Sequence, residues 1–202
     1  MELGWQPSLF EVSSTATAGA AVRTWLDESA WVDHVPGYLA GHDELFERLM
    51  ARCRWAQRRR VVYDKEWAEP RLTWWPGRPK PWPEPLGAVV ADLSARYGVA
   101  FDQVGANLYR DGHDSVAWHR DRVHRVLHQP LVATVTLGSA RPFLLRALCR
   151  PGASLRFLPQ PGDLLVMGGD CQHTWQHAVP KVATAGPRIS LTVRHSRFRP
   201  VR

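Results

Sequence analysis

Residues 188–194, with the sequence RISLTVR, alternate polar and apolar side chains over the whole stretch. Alternate side chains of a β-strand point to opposite faces, so this pattern predicts a strand with one apolar and one polar face. Short apolar runs bounded by turn residues precede it at 104–109, 130–137, 142–148, 154–158 and 163–167. Regularly spaced short strands with turn signals between them favour an antiparallel sandwich or barrel in the C-terminal half.

The N-terminal half is predicted to be helical. Residues 42–55 carry apolar side chains at helical spacing, and Asp43 near their start suits the positive end of a helix. A second helix has its apolar face within 86–93 and ends before Gly98. Between the two helices, residues 70–85 contain six prolines, which predicts a rigid surface loop. The predicted fold class is therefore α+β, mainly β, with a helical N-terminal extension.

The composition limits the classes of protein to which this chain can belong. With 202 residues, 45% of them hydrophobic, the chain can form a buried core, which excludes wholesale disorder. No apolar run reaches the ~20 residues of a membrane helix, and residues 1–5 lack a signal-peptide pattern. The three scattered cysteines, Cys53, Cys149 and Cys171, are too few for a disulfide framework. We therefore expect a cytoplasmic protein with no membrane partner and no obligate protein partner.

The charge balance is strongly basic. The formal net charge is +7, which favours a polyanionic partner such as nucleic acid. The basic residues, however, are 23 arginines against three lysines. That skew also fits a GC-rich genome, so the charge alone leaves the partner open.

Three polar residues could bind a metal ion. His119 and Asp121 lie two residues apart, so in an extended segment both side chains leave the same face. His177 is the candidate third ligand, and His173 competes with it. Two histidines and one carboxylate leave coordination positions open, which suits non-haem Fe(II). Zinc hydrolases use similar ligands, so the set alone leaves the metal open. Without a metal, His177 would only cap a strand or hydrogen-bond locally.

The polar face of residues 188–194 carries two arginines and two hydroxyl groups. Inside a barrel these guanidinium groups need an anionic partner. A dicarboxylic acid could supply it, because arginine binds carboxylates through two hydrogen bonds. The alternative is an edge strand whose charges face solvent. Asn107 and Tyr109 share a face of the first predicted strand and could donate hydrogen bonds to the same acid.

Together these segments resemble the AlkB family of Fe(II)/2-oxoglutarate dioxygenases. The resemblance covers roughly the last hundred residues, with order and spacing preserved. Its motifs are Asn107-x-Tyr109, His119-x-Asp121, residues 134–138, residues 162–167, Trp175-x-His177-x-Val179-Pro180 and Arg188-x-Ser190-x-Thr192-x-Arg194. Upstream, Pro70-Arg71-Leu72 resembles the start of the nucleotide-recognition lid of that family.

The resemblance implies a fold, cofactors and an activity. The fold is a double-stranded β-helix, or jelly roll, with residues 1–97 as N-terminal helices and lid and 98–202 as the catalytic core of one integrated domain. The implied cofactors are Fe(II), 2-oxoglutarate and O2, and no catalytic residue is expected beyond the metal site. The implied activity is oxidative demethylation of N-alkylated bases in DNA or RNA, as in alkylation-damage repair. The lesion and the strandedness of the substrate stay open.

The resemblance also assigns residues to roles. The iron ligands are His119, Asp121 and His177. The predicted 2-oxoglutarate contacts are Asn107, Tyr109, Arg188, Ser190, Thr192 and Arg194. A methylated base must be flipped out of a duplex or lie in a single strand, and it then needs an aromatic face. The predicted substrate-binding residues are Arg71, Trp74, Trp75, Trp82 and Arg122, with Trp75 preferred for stacking. Alternatively, the tryptophans pack the loop onto the barrel.

Two positions depart from the family pattern. Ser190 stands where the family usually has asparagine, which removes one hydrogen-bonding group. Arg122 follows the metal aspartate, where repair enzymes of the family tend to carry an acidic residue that faces the cationic base. Glu66, Glu69 and Asp170 are candidates for that negative charge. The missing acidic residue keeps open an oxygenase that acts on a protein or a small molecule. A separate alternative is a catalytically silent nucleic-acid-binding relative, against which the intact set of three ligands argues.

Overall fold

A computed structural model describes residues 19–62, 64–76, 82, 84–121, 127–150 and 152–195. Within these residues the chain forms thirteen strands and three helices. In chain order they are β1 (Val22–Trp25), β2 (Ala30–Val35), α1 (His42–Arg52), β3 (Arg59–Val62), β4 (Lys65–Ala68), β5 (Leu72–Trp74), α2 (Leu86–Tyr97), β6 (Gln103–Tyr109), β7 (Val116–His119), β8 (Val132–Gly138), β9 (Phe143–Ala147), β10 (Leu155–Phe157), β11 (Leu164–Gly169), α3 (Cys171–Thr174), β12 (Trp175–Val179) and β13 (Arg188–Arg194).

Two antiparallel sheets make up most of the structure. The major sheet has seven strands in the order β1-β2-β11-β8-β13-β6-β5, and the minor sheet has four in the order β10-β9-β12-β7. A separate hairpin pairs β3 with β4. The predicted antiparallel sandwich is confirmed, and its two sheets with few helices are consistent with the double-stranded β-helix. None of the described helices has the length and apolar character needed to span a bilayer.

Strand β13 lies in the middle of the major sheet, between β8 and β6. Its apolar side chains belong to the core cluster that also contains Leu45 and Leu49 of α1 and Leu93 of α2. The alternate side chains therefore face away from these helices. The prediction that 188–194 has an apolar and a polar face is confirmed, and the alternative of a solvent-facing edge strand is wrong.

Both predicted helices are present. Helix α1 ends at Arg52, somewhat earlier than expected, and Leu45 and Leu49 bury its apolar face. Helix α2 ends at Tyr97 and is followed by Gly98, whose φ of 66° is left-handed and therefore favours glycine. The six strands predicted from residue 104 onward correspond to β6, β8, β9, β10, β11 and β13.

The expectation of a helical N-terminal half is wrong in one respect. Residues 19–97 also contain five strands, and β2 pairs with β11 within the major sheet. The major sheet therefore takes strands from both sides of residue 97. The proline-rich segment 70–85 also contains the short strand β5, which pairs with β6 at the sheet edge. Three residues between Pro70 and Pro76 suffice for an edge strand, where flanking prolines are tolerated.

Candidate metal and 2-oxoglutarate site

The minor sheet brings the two predicted histidine ligands together. Strand β12 pairs with β7 so that His177 stands opposite His119, and their ring centroids are 4.2 Å apart. Asp121 follows the end of β7 and places Oδ2 3.9 Å from His177 Nε2. One ligand atom from each of the three residues lies within 4.8 Å of the other two. The predicted triad therefore converges in space.

Burial keeps both imidazoles in the neutral form that a metal requires. It lowers the pKa of His177 to about 3 and also lowers the pKa of His119, although Asp121 opposes both shifts. His119 Nδ1 lies 2.9 Å from the carbonyl oxygen of Ala117, to which it donates in the tautomer that leaves Nε2 unprotonated. The two histidines can therefore offer a lone pair each.

Asp121 is held as a carboxylate by its surroundings. Burial on its own would raise the pKa of Asp121, but its pKa is lowered, chiefly by the charge and the hydrogen bond of the Arg194 guanidinium. Arg194 Nη2 donates a 2.6 Å hydrogen bond to Asp121 Oδ1, and the Asp121 amide donates to Gln172 Oε1 at 3.0 Å. Two neutral imidazoles and one ionised carboxylate fit a divalent cation such as iron(II) and leave coordination positions open.

The competing ligand candidate, His173, does not belong to the triad. Its Nε2 lies 3.2 Å from the carbonyl oxygen of Leu127, and its ring is outside the cluster of possible ligands. Helix α3 is only four residues long, so His173 and His177 stand on different elements. The geometry therefore favours His177 over His173 as the third ligand.

A cavity of about 490 Å³ opens onto the triad. It is lined by five of the six residues predicted to contact 2-oxoglutarate, namely Asn107, Tyr109, Ser190, Thr192 and Arg194. These side chains come from the adjacent strands β6 and β13, which pair residue by residue from Arg188 opposite Tyr109 to Arg194 opposite Gln103. The same register that builds the sheet thus places the polar residues of two strands on one wall.

Arg188 differs from the other five because it is fully buried and does not line the cavity. Its Nη2 donates to Thr136 Oγ1 at 3.3 Å, while Nε and Nη1 have no hydrogen-bond partner among the described residues. Its guanidinium carbon lies 5.4 Å from the ring centroid of Tyr109, which does line the cavity. Burial lowers the pKa of Arg188. A buried guanidinium with unused donors fits a site for an anion.

Trp75 lines the same cavity and packs on the wall formed by β6. A Cβ atom added at Gly105 would lie 2.3 Å from Trp75 Cε3, so the missing side chain at 105 makes room for the indole. The Arg194 guanidinium carbon lies 4.5 Å from the Trp75 ring centroid. The indole therefore covers the arginine that holds Asp121. Sequence reasoning missed Gly105, because nothing in a lone glycine within a strand indicates which ring occupies the space.

Of the other predicted substrate-binding residues that the structure describes, Arg71 lines the cavity, and Trp74 and Trp82 do not. Arg71 lines the cavity, donating to Asn107 Oδ1 at 3.3 Å and pairing with Glu69 at 2.9 Å. Trp82 packs in the hydrophobic core, so the suggestion that it stacks on a base is wrong. Trp74 packs partly on the same core and does not line the cavity. Arg122 lies outside the described residues.

One of the three acidic candidates stands at the site. Glu69 lines the cavity and is buried. Glu66 does not line it and pairs with Arg59 at 2.7 Å, and Asp170 precedes α3 away from the cavity. Arg120, which the sequence analysis passed over, also lines the cavity and donates to the carbonyl oxygen of His173 at 3.0 Å.

Comparison with known proteins agrees with this geometry. A family model for the 2OG-Fe(II) oxygenase superfamily matches residues 5–194. The alpha-ketoglutarate-dependent dioxygenase alkB homolog 3 of Bos taurus is 32% identical over 182 residues, covering 79% of this chain and 64% of that protein. The DNA oxidative demethylase ALKBH2 of Homo sapiens is 31% identical over 124 residues, covering 57% and 48%. The chain thus spans less than two thirds of the length of these curated relatives.

Solved structures share the fold at low sequence identity. OsALKBH1 matches with a TM-score of 0.63 and 14% identity, covering 86% of this chain and 100% of that chain. A Pseudomonas putida prolyl-4-hydroxylase matches with a TM-score of 0.58 and 15% identity, covering 83% and 93%. The predicted resemblance to AlkB proteins is confirmed by the curated relatives. From its match over residues 5–194, the chain belongs to the 2OG-Fe(II) oxygenase superfamily.

Proposed function

We propose that this chain is an Fe(II)- and 2-oxoglutarate-dependent oxygenase that removes methyl groups from N-alkylated bases in nucleic acid. The observation that carries the proposal is the convergence of His119, Asp121 and His177 beside a wall that bears Arg194. The names of the AlkB relatives support the nucleic-acid substrate class, and the net charge of +7 agrees with a polyanion.

The three ligands would hold iron(II) at the end of β7 and on β12. With iron(II), 2-oxoglutarate and O2 bound, the site would convert 2-oxoglutarate to succinate and CO2, and the methyl group would leave the base as formaldehyde. The protein's own contribution is to hold the ligands in the right protonation state and to position both substrates. Arg194 contributes by fixing Asp121 Oδ1 through its 2.6 Å hydrogen bond.

We assign the binding of 2-oxoglutarate to the polar wall of β6 and β13. Arginine pairs with carboxylates through charge-assisted hydrogen bonds, and this wall offers Arg194 at its surface and Arg188 buried behind Tyr109. Asn107, Ser190 and Thr192 supply neutral hydrogen-bonding groups along the same wall. Ser190 is shorter than the family's asparagine, so we expect it to hold the acid less tightly.

We assign the methylated base to the outer part of the cavity, between Trp75 and the metal ligands. A base flipped out of the stack needs an aromatic surface and a polar edge. Trp75 offers the first, and Glu69 is a carboxylate in the cavity that can face a cationic base. Its ion pair with Arg71 at 2.9 Å reduces that charge, so we expect weaker preference for cationic lesions than a free carboxylate would give.

We further propose that residues 1–97 and 98–202 act as one integrated domain, since β2 and β11 pair across that boundary. We expect a cytoplasmic location, because Cys53, Cys149 and Cys171 are free thiols in this structure.

The experiment is to incubate iron-loaded protein and 2-oxoglutarate with methylated single- and double-stranded oligonucleotides. We expect succinate, formaldehyde and a mass loss of one methylene per lesion, with all three absent in Asp121→Ala. Turnover of 2-oxoglutarate that no oligonucleotide stimulates would instead indicate a protein or small-molecule substrate. Oligonucleotide binding without any turnover would indicate a silent binding module.

A further inference from the structure

A second cleft adjoins the catalytic cavity. It has a volume of about 560 Å³ and shares Arg58, Thr73 and Trp75 with the cavity. Its remaining lining residues are Arg52, Arg54, Ala56 and Trp74. Three arginines and two tryptophans thus line a cleft that contains none of the three candidate metal ligands. None of these arginines is needed to hold the triad.

The sequence after α1 builds this cleft. Residues 54–58 run beside β5, with Ala56 and Thr73 exchanging backbone hydrogen bonds of 3.0 and 2.9 Å. In an extended segment alternate side chains share a face, so Arg54, Ala56 and Arg58 point the same way. Trp55, between them, packs on the hydrophobic core instead. The small side chain of Ala56 leaves space between the side chains of Arg54 and Arg58.

The charges of this cleft are not neutralised by the described part of the protein. Arg52, Arg54 and Arg58 are exposed, and no carboxylate of the described residues lies within 4 Å of their guanidinium groups. Other exposed or half-exposed arginines do have such partners: Arg48 pairs with Glu44, Arg59 with Glu66 and Arg96 with Asp92. Three adjacent unpaired cations attract an anion, and beside two indoles they suit a chain that carries both phosphates and flat rings.

We propose that this cleft binds the single-stranded nucleic acid that flanks the nucleotide in the catalytic cavity. Arg52, Arg54 and Arg58 would contact successive phosphates, and Trp74 would offer indole surface to a neighbouring base. The shared residues Arg58 and Trp75 make the path continuous with the catalytic cavity. The inference deepens the proposed function and rests on it.

The test compares the Arg52→Ala/Arg54→Ala double variant with a control double variant, Arg150→Ala/Arg156→Ala. The control removes two exposed arginines, Arg156 on the edge strand β10 and Arg150 in the connection before it, and no described carboxylate pairs with either of them. The probes are a fluorescent single-stranded 15-mer, a trinucleotide and a duplex 15-mer, each with one N-methylated base. Fluorescence anisotropy gives the Kd at several salt concentrations.

We expect the cleft variant to bind the single-stranded 15-mer about tenfold more weakly. The slope of log Kd against log salt should fall by about 0.7 for each phosphate that the variant no longer neutralises. The trinucleotide and the control variant should show little change. If both double variants bind the 15-mer equally weakly, the loss reflects the total charge of the protein, and the assignment of the cleft as a binding site is wrong. If the cleft variant binds only the duplex more weakly, the proposal that the cleft holds a single strand is wrong.

A circular dichroism melt of each variant separates unfolding from weaker binding by the folded protein, and Arg54→Gln provides a milder second substitution. The two proposals fail differently. If the unsubstituted protein binds no oligonucleotide, the proposed function fails. If it binds and demethylates while the cleft variants bind as tightly, only the cleft assignment fails.

Discussion

Arg194 Nη2 donates a 2.6 Å hydrogen bond to Asp121 Oδ1, which joins strand β13 of the major sheet to a predicted metal ligand. Both groups are largely buried, and the Trp75 ring covers the guanidinium at 4.5 Å. Charge-assisted hydrogen bonds between buried groups are strong and costly to break on one side. A single arginine therefore supports the carboxylate ligand and also stands on the wall assigned to 2-oxoglutarate.

Replacing Arg194 should therefore affect two bound groups at once. In Arg194→Ala we expect weaker binding of Mn(II), used as a redox-stable substitute for iron(II), because Asp121 loses its hydrogen-bond partner. We also expect the KM for 2-oxoglutarate to rise by roughly tenfold or more. Titration calorimetry measures the first and initial rates the second. Arg194→Lys should recover part of the charge effect and none of the bidentate geometry. Unchanged Mn(II) affinity in Arg194→Ala would contradict the assignment.

Arg188 should stabilise the complex with 2-oxoglutarate and not the protein alone. Its Nε and Nη1 have no described partner, so Arg188→Met should leave the unliganded protein as stable or more stable by about 1–2 kcal/mol. The variant should also lose the rise in Tm that 2-oxoglutarate causes in the unsubstituted protein. Urea unfolding and thermal melts with and without 2-oxoglutarate measure both quantities.

Arg141 is the matched control for that substitution. It is also fully buried, but it donates to the carbonyl oxygens of Asp111, Asp114 and Pro180 at 2.7–2.8 Å. Arg141→Met should therefore destabilise the protein by about 3 kcal/mol, because three backbone carbonyl groups, one of them fully buried, lose their donor. Equal destabilisation by both substitutions would show that Arg188 is a structural residue like Arg141.

Gly105 should be intolerant of any side chain. A Cβ at this position would lie 2.3 Å from the Trp75 ring, so Gly105→Ala must displace the indole from the wall. We expect a decrease of about 1–3 kcal/mol in the free energy of unfolding, measured with urea. The KM for 2-oxoglutarate should rise as well, because the displaced Trp75 ring no longer packs on the Arg194 guanidinium. Gly152, which has no atom within 4 Å of such a Cβ, is the control position. A rise in KM for Gly152→Ala of the same size would refute the explanation.

The thiols should differ in reactivity according to their burial. Burial raises the pKa of Cys53 to about 11 and that of Cys171 to about 12, so very little of either side chain is thiolate at pH 8. Exposed Cys149 should therefore be the first cysteine that iodoacetamide labels in the native protein. The labelling rate of Cys53 should rise tenfold per pH unit below its pKa. Peptide mass spectrometry reads each site, and faster labelling of Cys171 than Cys149 would contradict the packing.

The local sequence predicts the site well where a motif lies on one strand. The face shared by Arg188, Ser190, Thr192 and Arg194 follows from the two-residue period of a strand, and the structure has it. The pairing of His177 with His119 joins distant segments, so the spacing of residues in the sequence cannot give it. The AlkB resemblance supplied that link.

The parts that were missed depend on partners far away in the chain. Strand β2 takes its place between β1 and β11 through tertiary pairing with distant residues, which the local sequence does not reveal. For Trp82 the sequence left two positions open, against a flipped base or against the barrel, and its indole packs in the core. A large aromatic side chain gains more from such burial than the local backbone pattern reveals.

The most direct test of the account adds 2-oxoglutarate to the anaerobic iron(II)-loaded protein and follows the visible charge-transfer absorption of the complex. We predict that the band forms in the unsubstituted protein, disappears in Asp121→Ala, and needs much more 2-oxoglutarate in Arg188→Met. An iron-loaded protein that shows no band at saturating 2-oxoglutarate, or an Asp121→Ala variant that shows the same band, would contradict the assignment of the metal ligands and of the wall beside them.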